Sequence, residues 1–315
     1  EHIAAAAALL DKPFTISKPV ITPPTPVVEK REPETGRKLI AVEIDPPTDT
    51  DASFLLYASR KAKAFGADFI TLADSPLART RADSFALAAK VQREVGIKTI
   101  PHLCCRDKNQ IAIKAQLLAG SIEGISNVLV VTGDPITKED RPGLNDVFGF
   151  NSYKLINFIN NLNSDVFRAS PYTVYGALNI NSANFNVELK RAEEKIKNGA
   201  AGLFSQPVYS NTHIENLRTA RKSLPCKIFA GILPFASYKN ALFLNNEVTG
   251  IEIPREIIES LSGQPEQTVR DISVRFCQNI IDSVYDLCDG LYIITPLKKI
   301  GFVLDLILYI RSRQK

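Results

Sequence analysis

Eight times along this 315-residue chain, a short apolar run gives way to a polar residue and then to a segment with helical periodicity. The runs are KLIAVEI, ADFITLA, KTIPHLCC, NVLVVTG, YTVYGALN, GLFSQPV, KIFAGILP and GLYIITP. Strict alternation of this kind excludes all-α and all-β classes. A doubly wound open sheet and a closed barrel remain. The count of eight, and the absence of GxGxxG after any run, select an α/β fold of the (β/α)8 TIM-barrel type. Extra helices are predicted before the last strand, where SYKNALFLNNE, PREIIESL and EQTVRDISVRFCQNIIDSVYDLC follow one another. In a barrel of this type, residues at the C-terminal strand ends build the active site. Those positions are Glu43, Thr71, Asp74, His102, Asp134, Asn179 and Gln206.

Composition narrows the class of partner. The apolar fraction is 45% and the net charge is +4, with Lys and Arg spread along the chain. A nucleic-acid surface would concentrate them in a stripe, so no nucleic-acid partner is expected. A phosphate-bearing cofactor needs only a few local cations. No apolar stretch reaches the ~20 residues that span a bilayer. The opening AAAAALL is too short, and lacks the basic flank, for a secretory signal. Five cysteines without a CxxC pair read as reduced, mostly buried thiols, which points to a cytoplasmic protein without a metal site. Methionine is absent, a composition expected of a fragment or of a sequence written without its modified methionines.

Residues 1–12 resemble the tail of a helix, and residues 13–37, with six prolines, read as a semi-rigid linker. The barrel is expected over 38–315. Its helices carry their own punctuation. DSFALAAKVQREVG opens on an Asp or Ser cap and ends at a glycine. NVELKRAEEKIKNGA places Val187, Leu189, Ala192 and Ile196 on one apolar face and stops at Gly199.

Among the site candidates, Glu43 is a carboxylate inside an apolar strand, which is costly unless paired or functional. Partial burial raises its pKa and suits it to general-acid work; Asp45 facing the lumen instead is the alternative. Asp134, after Gly133, either tunes a bound ring or caps the turn before Pro135. Gly133 allows close backbone approach to a flat ligand. His102 is a lone histidine, read first as hydrogen-bonded structure. Cys104 and Cys105 point to opposite faces of the strand, which argues against a Cys–His catalytic pair. Gln206 offers a paired donor and acceptor suited to a heterocycle edge. Arg191 and Lys195 share a helix face, where solvation competes with phosphate binding. Gly231-Ile232-Leu233-Pro234 is read as a tight turn over the mouth.

Taken in order, VEIDPP, ADFITLAD, PHLCC, NVLVVTGDP, AEEKIKNGAAGLFSQP and AGILPFASYKNALFLNNEV resemble the methylenetetrahydrofolate reductase family from about Lys38 onward. The resemblance implies FAD bound without a Rossmann domain, NADH or NADPH as hydride donor, and methylenetetrahydrofolate as substrate. It implies Glu43 as general acid and Asp134 as the aspartate near flavin and pterin. Gln206, Asn240 and Leu244 fall at folate-contacting positions. Thr71, Ala73, His102, Thr132, Gly133, Asp134, Phe150, Asn179, Arg191 and Lys195 fall at flavin-contacting ones. Departures occur at Ile44-Asp45, Leu72-Ala73-Asp74, Thr132 and Asn179-Ile180-Asn181, and fit a divergent bacterial branch. That branch includes proteins with a homocysteine S-methyltransferase domain ahead of the reductase, so a covalently linked N-terminal methyltransferase is the expected partner, with a homo-oligomer possible. Two other classes stay open: a flavin-free pterin-binding barrel, and a non-catalytic module of a fused enzyme.

Overall fold

The computed structural model describes residues 37–134, 136, 147, 149–248 and 251–314, so the expectations for the first 36 residues lie outside the described ones. Eight parallel strands close into a barrel in sequence order, and the last pairs with the first. They are β1 (Leu39–Glu43), β2 (Phe69–Leu72), β3 (Lys98–Cys104), β4 (Asn127–Val131), β5 (Thr173–Leu178), β6 (Gly202–Pro207), β7 (Lys227–Ile232) and β8 (Gly290–Ile294). Each lies inside one of the eight apolar runs. Around them stand α1 (Ser53–Phe65), α2 (Ser84–Val95), α3 (Gln110–Ile122), α4 (Ser152–Ser164), α5 (Phe185–Lys197) and α6 (Asn211–Ser223). Three further helices, α7 (Tyr238–Glu247), α8 (Arg255–Ser260) and α9 (Glu266–Val284), separate β7 from β8, and α10 (Ile300–Ser312) follows.

Local chemistry sets where the helices begin. Asp83, Asn109, Asn151, Asn184, Ser210 and Ser237 each accept a hydrogen bond from an amide in the first turn of the helix they precede. Such caps satisfy donors that the helix leaves unpaired. Since every strand feeds its helix through a loop at the same end of the barrel, the caps also fix the ends of the loops that frame the mouth.

Two apolar layers hold the fold. One lies between strands and helices. The other fills the barrel with Ala41, Ile100, Leu129, Tyr175, Phe204, Phe229 and Tyr292. The Phe204 and Phe229 rings stack at 4.3 Å, while Tyr175 and Tyr292 meet Phe204 edge-on at 5.3 and 5.1 Å. Aromatic pairs of this geometry add about 0.5–1.5 kcal/mol each beyond their burial. Gly290 makes the packing possible: a Cβ there would stand 2.6 Å from the Phe229 ring. This plug is the floor on which the next residues up, Glu43, Thr71 and His102, rest.

Helix α5 departs from its predicted face. Ala192 and Ile196 are buried, but Val187 is 45% exposed, while Glu188 and Lys195 are buried. The cause is polar. Glu188 accepts from the Asn179 amide at 3.2 Å, and Lys195 Nζ donates to the Ala177 carbonyl at 2.5 Å. The helix turns its charged pair, not its valine, toward the end of β5. At the opposite end of the barrel, Arg311 donates to the carbonyls of Gly66 and Lys38 and pairs with Asp68 at 2.7 Å, joining the last helix to the first two strands.

Phe229→Ala is expected to cost about 3–5 kcal/mol. It should appear as a lower urea midpoint with a nearly unchanged m-value.

Candidate active site at the barrel mouth

Period-two alternation puts Glu43 on the same face as Ala41, toward the lumen and one step above the plug. Its side chain is 13% exposed. Tyr292, on β8, donates its hydroxyl to Glu43 Oε2. His102 Nε2, from β3, lies 3.5 Å from the same oxygen. Thr71 is the register partner of Glu43 on β2. Burial, and secondarily the Asp45 charge, push the Glu43 carboxyl from an ordinary 4.5 up to about 8, against the lowering effect of the Tyr292 bond. Burial holds the His102 imidazole down at about 3. Glu43 and His102 are therefore both neutral at pH 7, and their contact is not an ion pair. Asp45 is exposed and lies 3.9 Å from Arg81.

Asp134 occupies the exposed loop after β4, where its Oδ2 accepts from the Leu77 amide at 2.7 Å. Its backbone carbonyl accepts from Arg106 Nη1 at 2.9 Å. Asp74 accepts from the Cys104 amide at 3.0 Å and from Lys108 at 3.1 Å. Gly133 has φ +89°, and a Cβ there would come within 2.1 Å of Cys104 Sγ. This glycine lets the loop approach the barrel's own cysteine closely. Burial pushes the Cys104 and Cys105 thiols up to about 11 and about 12, which keeps them protonated.

The remaining candidates scatter around the rim. Gln206 is exposed at the end of β6, where the pairing with β7 shifts register between Phe204 and Pro207. Such a bulge re-aims side chains at a barrel rim. Gly231 belongs to this junction: its amide donates to Ser205 Oγ at 2.9 Å, and a Cβ would strike the Ser205 carbonyl. Thr132 and Asn179 are exposed, and Ala73 is buried. Asn240 Oδ1 accepts from the Ala236 amide at 2.9 Å, so it closes the start of α7. Leu244 lies in a satellite core with Tyr209, Phe235 and Ile253. Phe150 packs on Phe158 at 5.2 Å. Lys195, 3.5 Å from Glu188, is buried, so the solvated reading of that lysine does not hold; burial lowers its pKa. Arg191, 65% exposed, sits 3.6 Å from Glu188. Glu43, Thr71, His102 and Tyr292 form one cluster. Asp134 and Gln206 reach the same end of the barrel but share no hydrogen bond with Glu43 among the described residues.

Two residues in this arrangement have no counterpart in the sequence reading. Tyr292 lies mid-run, where an aromatic signals core. Arg106 lies beyond the apolar run of β3. Its only signal is a charged triplet, Arg106-Asp107-Lys108, in a loop that belongs to the mouth.

A family model described as methylenetetrahydrofolate reductase matches residues 29–307. The chain belongs to this family. Methylenetetrahydrofolate reductase 2 of Saccharomyces cerevisiae is 29% identical over 214 residues, which are 63% of this chain and 34% of the yeast protein. A probable methylenetetrahydrofolate reductase (NADH) of Oryza sativa subsp. japonica is 25% identical over 72% of this chain and 40% of its own length. The 5,10-methylenetetrahydrofolate reductase of Buchnera aphidicola is 21% identical over 54% of this chain and 55% of that protein. The chain therefore spans between a third and just over half of these curated relatives. Among solved structures, an uncharacterised Clostridium thermocellum protein described as binding two copies of 5-methyl-5,6,7,8-tetrahydrofolic acid matches with a TM-score of 0.62 at 16% identity, covering 88% of this chain and 96% of that one. It shares the fold. Among the described residues of this reductase-family barrel, no group of His, Cys, Asp and Glu is arranged to hold a metal, and no helix is long and apolar enough to cross a membrane.

The raised Glu43 pKa carries a stability signature. Between 4.5 and about 8 the folded chain holds a proton that the unfolded chain releases. Stability is therefore expected to fall as pH rises through that window, by up to about 1.4 kcal/mol per pH unit, and to level off above it. Urea unfolding of Glu43→Gln across the same range should lack this component.

Proposed function

We propose that the chain reduces 5,10-methylenetetrahydrofolate to 5-methyltetrahydrofolate, with FAD as resident cofactor and NADH or NADPH as hydride donor. The observation that carries this reading is a carboxylic acid, Glu43, kept protonated at neutral pH at the mouth of a barrel of this family. Ring opening of the substrate needs a proton at N10, and a buried acid poised near neutrality is suited to give it.

The polar groups of the mouth suit a flavin. His102 Nε2, 3.5 Å from Glu43 Oε2, and Thr295 Oγ1, just past β8, are buried and make no hydrogen bond among the described residues. Such orphaned polar atoms suit the heteroatom edge of a flat ring. Thr71, Ala73 and His102 would border that ring, with Thr132 and Asn179 at the exposed rim. Arg191, largely exposed though 3.6 Å from Glu188, is a cation that a diphosphate could recruit; Lys195 is committed to Ala177 and Glu188. The residues fit the group. The chemistry a bound flavin supplies is hydride transfer, from a reduced nicotinamide to the one-carbon unit of the folate.

The chain's own residues do the rest. With Oε2 accepting from Tyr292, Glu43 carries its proton on Oε1 and delivers it to N10 as the imidazolidine ring opens. The Tyr292 hydroxyl then stabilises the carboxylate left behind. Asp134, an anion at the rim, favours the cation that forms on the folate. Gln206 pairs its amide with the pterin edge. The Clostridium thermocellum protein of this fold, described as binding 5-methyl-5,6,7,8-tetrahydrofolic acid, supports folate as the ligand class.

Absorbance of the purified chain tests the reading. A flavin band that NADH or NADPH bleaches, and that methylenetetrahydrofolate restores, is the expected result. Glu43→Gln should keep the bleaching step and slow the folate step by about 10²–10⁴-fold. A chain that takes up no FAD on refolding, or a Glu43→Gln protein with an undiminished folate step, overturns it.

A further inference from the structure

Arg106 follows β3, and its side chain is 1% exposed. A buried guanidinium is costly unless its donors find acceptors, and four hydrogen bonds serve this one. Nε and Nη2 grip the Asp107 carboxylate at 2.6 and 2.6 Å, Nη2 also donates to the Ser75 carbonyl at 3.2 Å, and Nη1 donates to the Asp134 carbonyl at 2.9 Å. One side chain thereby joins the loops after β2, β3 and β4. The loop after β2 is strained: Ser75, Leu77 and Ala78 have φ of 49°, 53° and 53°. Non-glycine residues in this region are strained and persist only where the surroundings over-determine them. What the conformation achieves is local. It aims the Leu77 amide at Asp134 Oδ2, and that amide is the hydrogen bond holding a carboxylate that otherwise stands in solvent.

We propose that Arg106 is a positioning residue for the reaction: by holding the Ser75 and Asp134 backbones at a fixed separation, it keeps the Leu77 amide on the Asp134 carboxylate and so sets where that anion stands at the mouth. Arg106 touches no reacting atom in this scheme. The inference rests on the reading of Asp134 given above. Lysine is not an equivalent here, because a single ammonium cannot serve two carbonyls and a carboxylate in one plane.

The experiment uses the full chain as wild type, Arg106→Lys, Asp134→Asn and the double variant. Amide exchange is followed by mass spectrometry, and the folate step by reoxidation of the bleached flavin. In Arg106→Lys, exchange at 75–79 should rise by about tenfold or more while β1 and β8 keep wild-type protection. The folate step should slow about as much as in Asp134→Asn, and the double variant should be within about twofold of Asp134→Asn alone, as coupled residues behave. Unchanged exchange at Leu77 in Arg106→Lys, or two effects that multiply, overturns the proposal. Should Arg106→Lys fail to fold, Arg106→Gln, which lacks the planar fork, takes its place: its Leu77 amide must exchange faster than in wild type, and equal protection overturns the clamp. The exchange arm does not depend on activity, so an inactive wild type would count against the reductase reading and leave the clamp separately judged.

Discussion

A hydroxyl at residue 292 reaches a carboxylate at residue 43 only because eight strands close into a cylinder. Strand β8 pairs with β1 in the register Ala41↔Tyr292 and Glu43↔Ile294. An open sheet of the same strands would leave the two side chains on opposite edges. The seam therefore does more than complete a hydrogen-bond ladder. It supplies the donor that keeps a buried acid from being an unsatisfied one, and buried polar groups without partners are costly.

The aromatic plug sets the electrostatics above it. Phe204, Phe229 and Tyr292 exclude water from below, so the Glu43 carboxyl is desolvated on that side and its charged form is disfavoured. The same burial keeps His102 neutral, which removes the cation that would otherwise draw Glu43 into ionising. Packing, proton affinity and chemistry are thus one argument: the core that stabilises the barrel also decides the protonation state at its mouth.

Much of this is legible in the residues themselves. Apolar runs of seven or eight residues, each followed by a helical period, specify strand count and order, and the polar residues at the run ends mark the mouth. Contacts that depend on which way a side chain turns are not legible. Tyr292 reads as core until its hydroxyl is seen to face Glu43. Glu188 and Lys195 read as solvent-facing charges, because nothing local reveals that β5 ends in a carbonyl and an amide needing partners. Arg106 is hidden for the same reason, since two of its partners, Ser75 and Asp134, come from loops distant in sequence. Asn240 shows the converse: a residue singled out by resemblance has its oxygen occupied by a purely local cap.

The Arg311 junction has a geometric corollary. It brings Lys38 and the last helix together at the floor of the barrel, away from the strand ends that carry Glu43, Asp134 and Gln206. Residues 38 and 311 therefore share the underside of the barrel, opposite the strand ends where substrate would enter. The two ends also lie near enough that a short peptide could connect them, making this barrel a natural scaffold for circular permutation with new termini cut into a helix–strand turn.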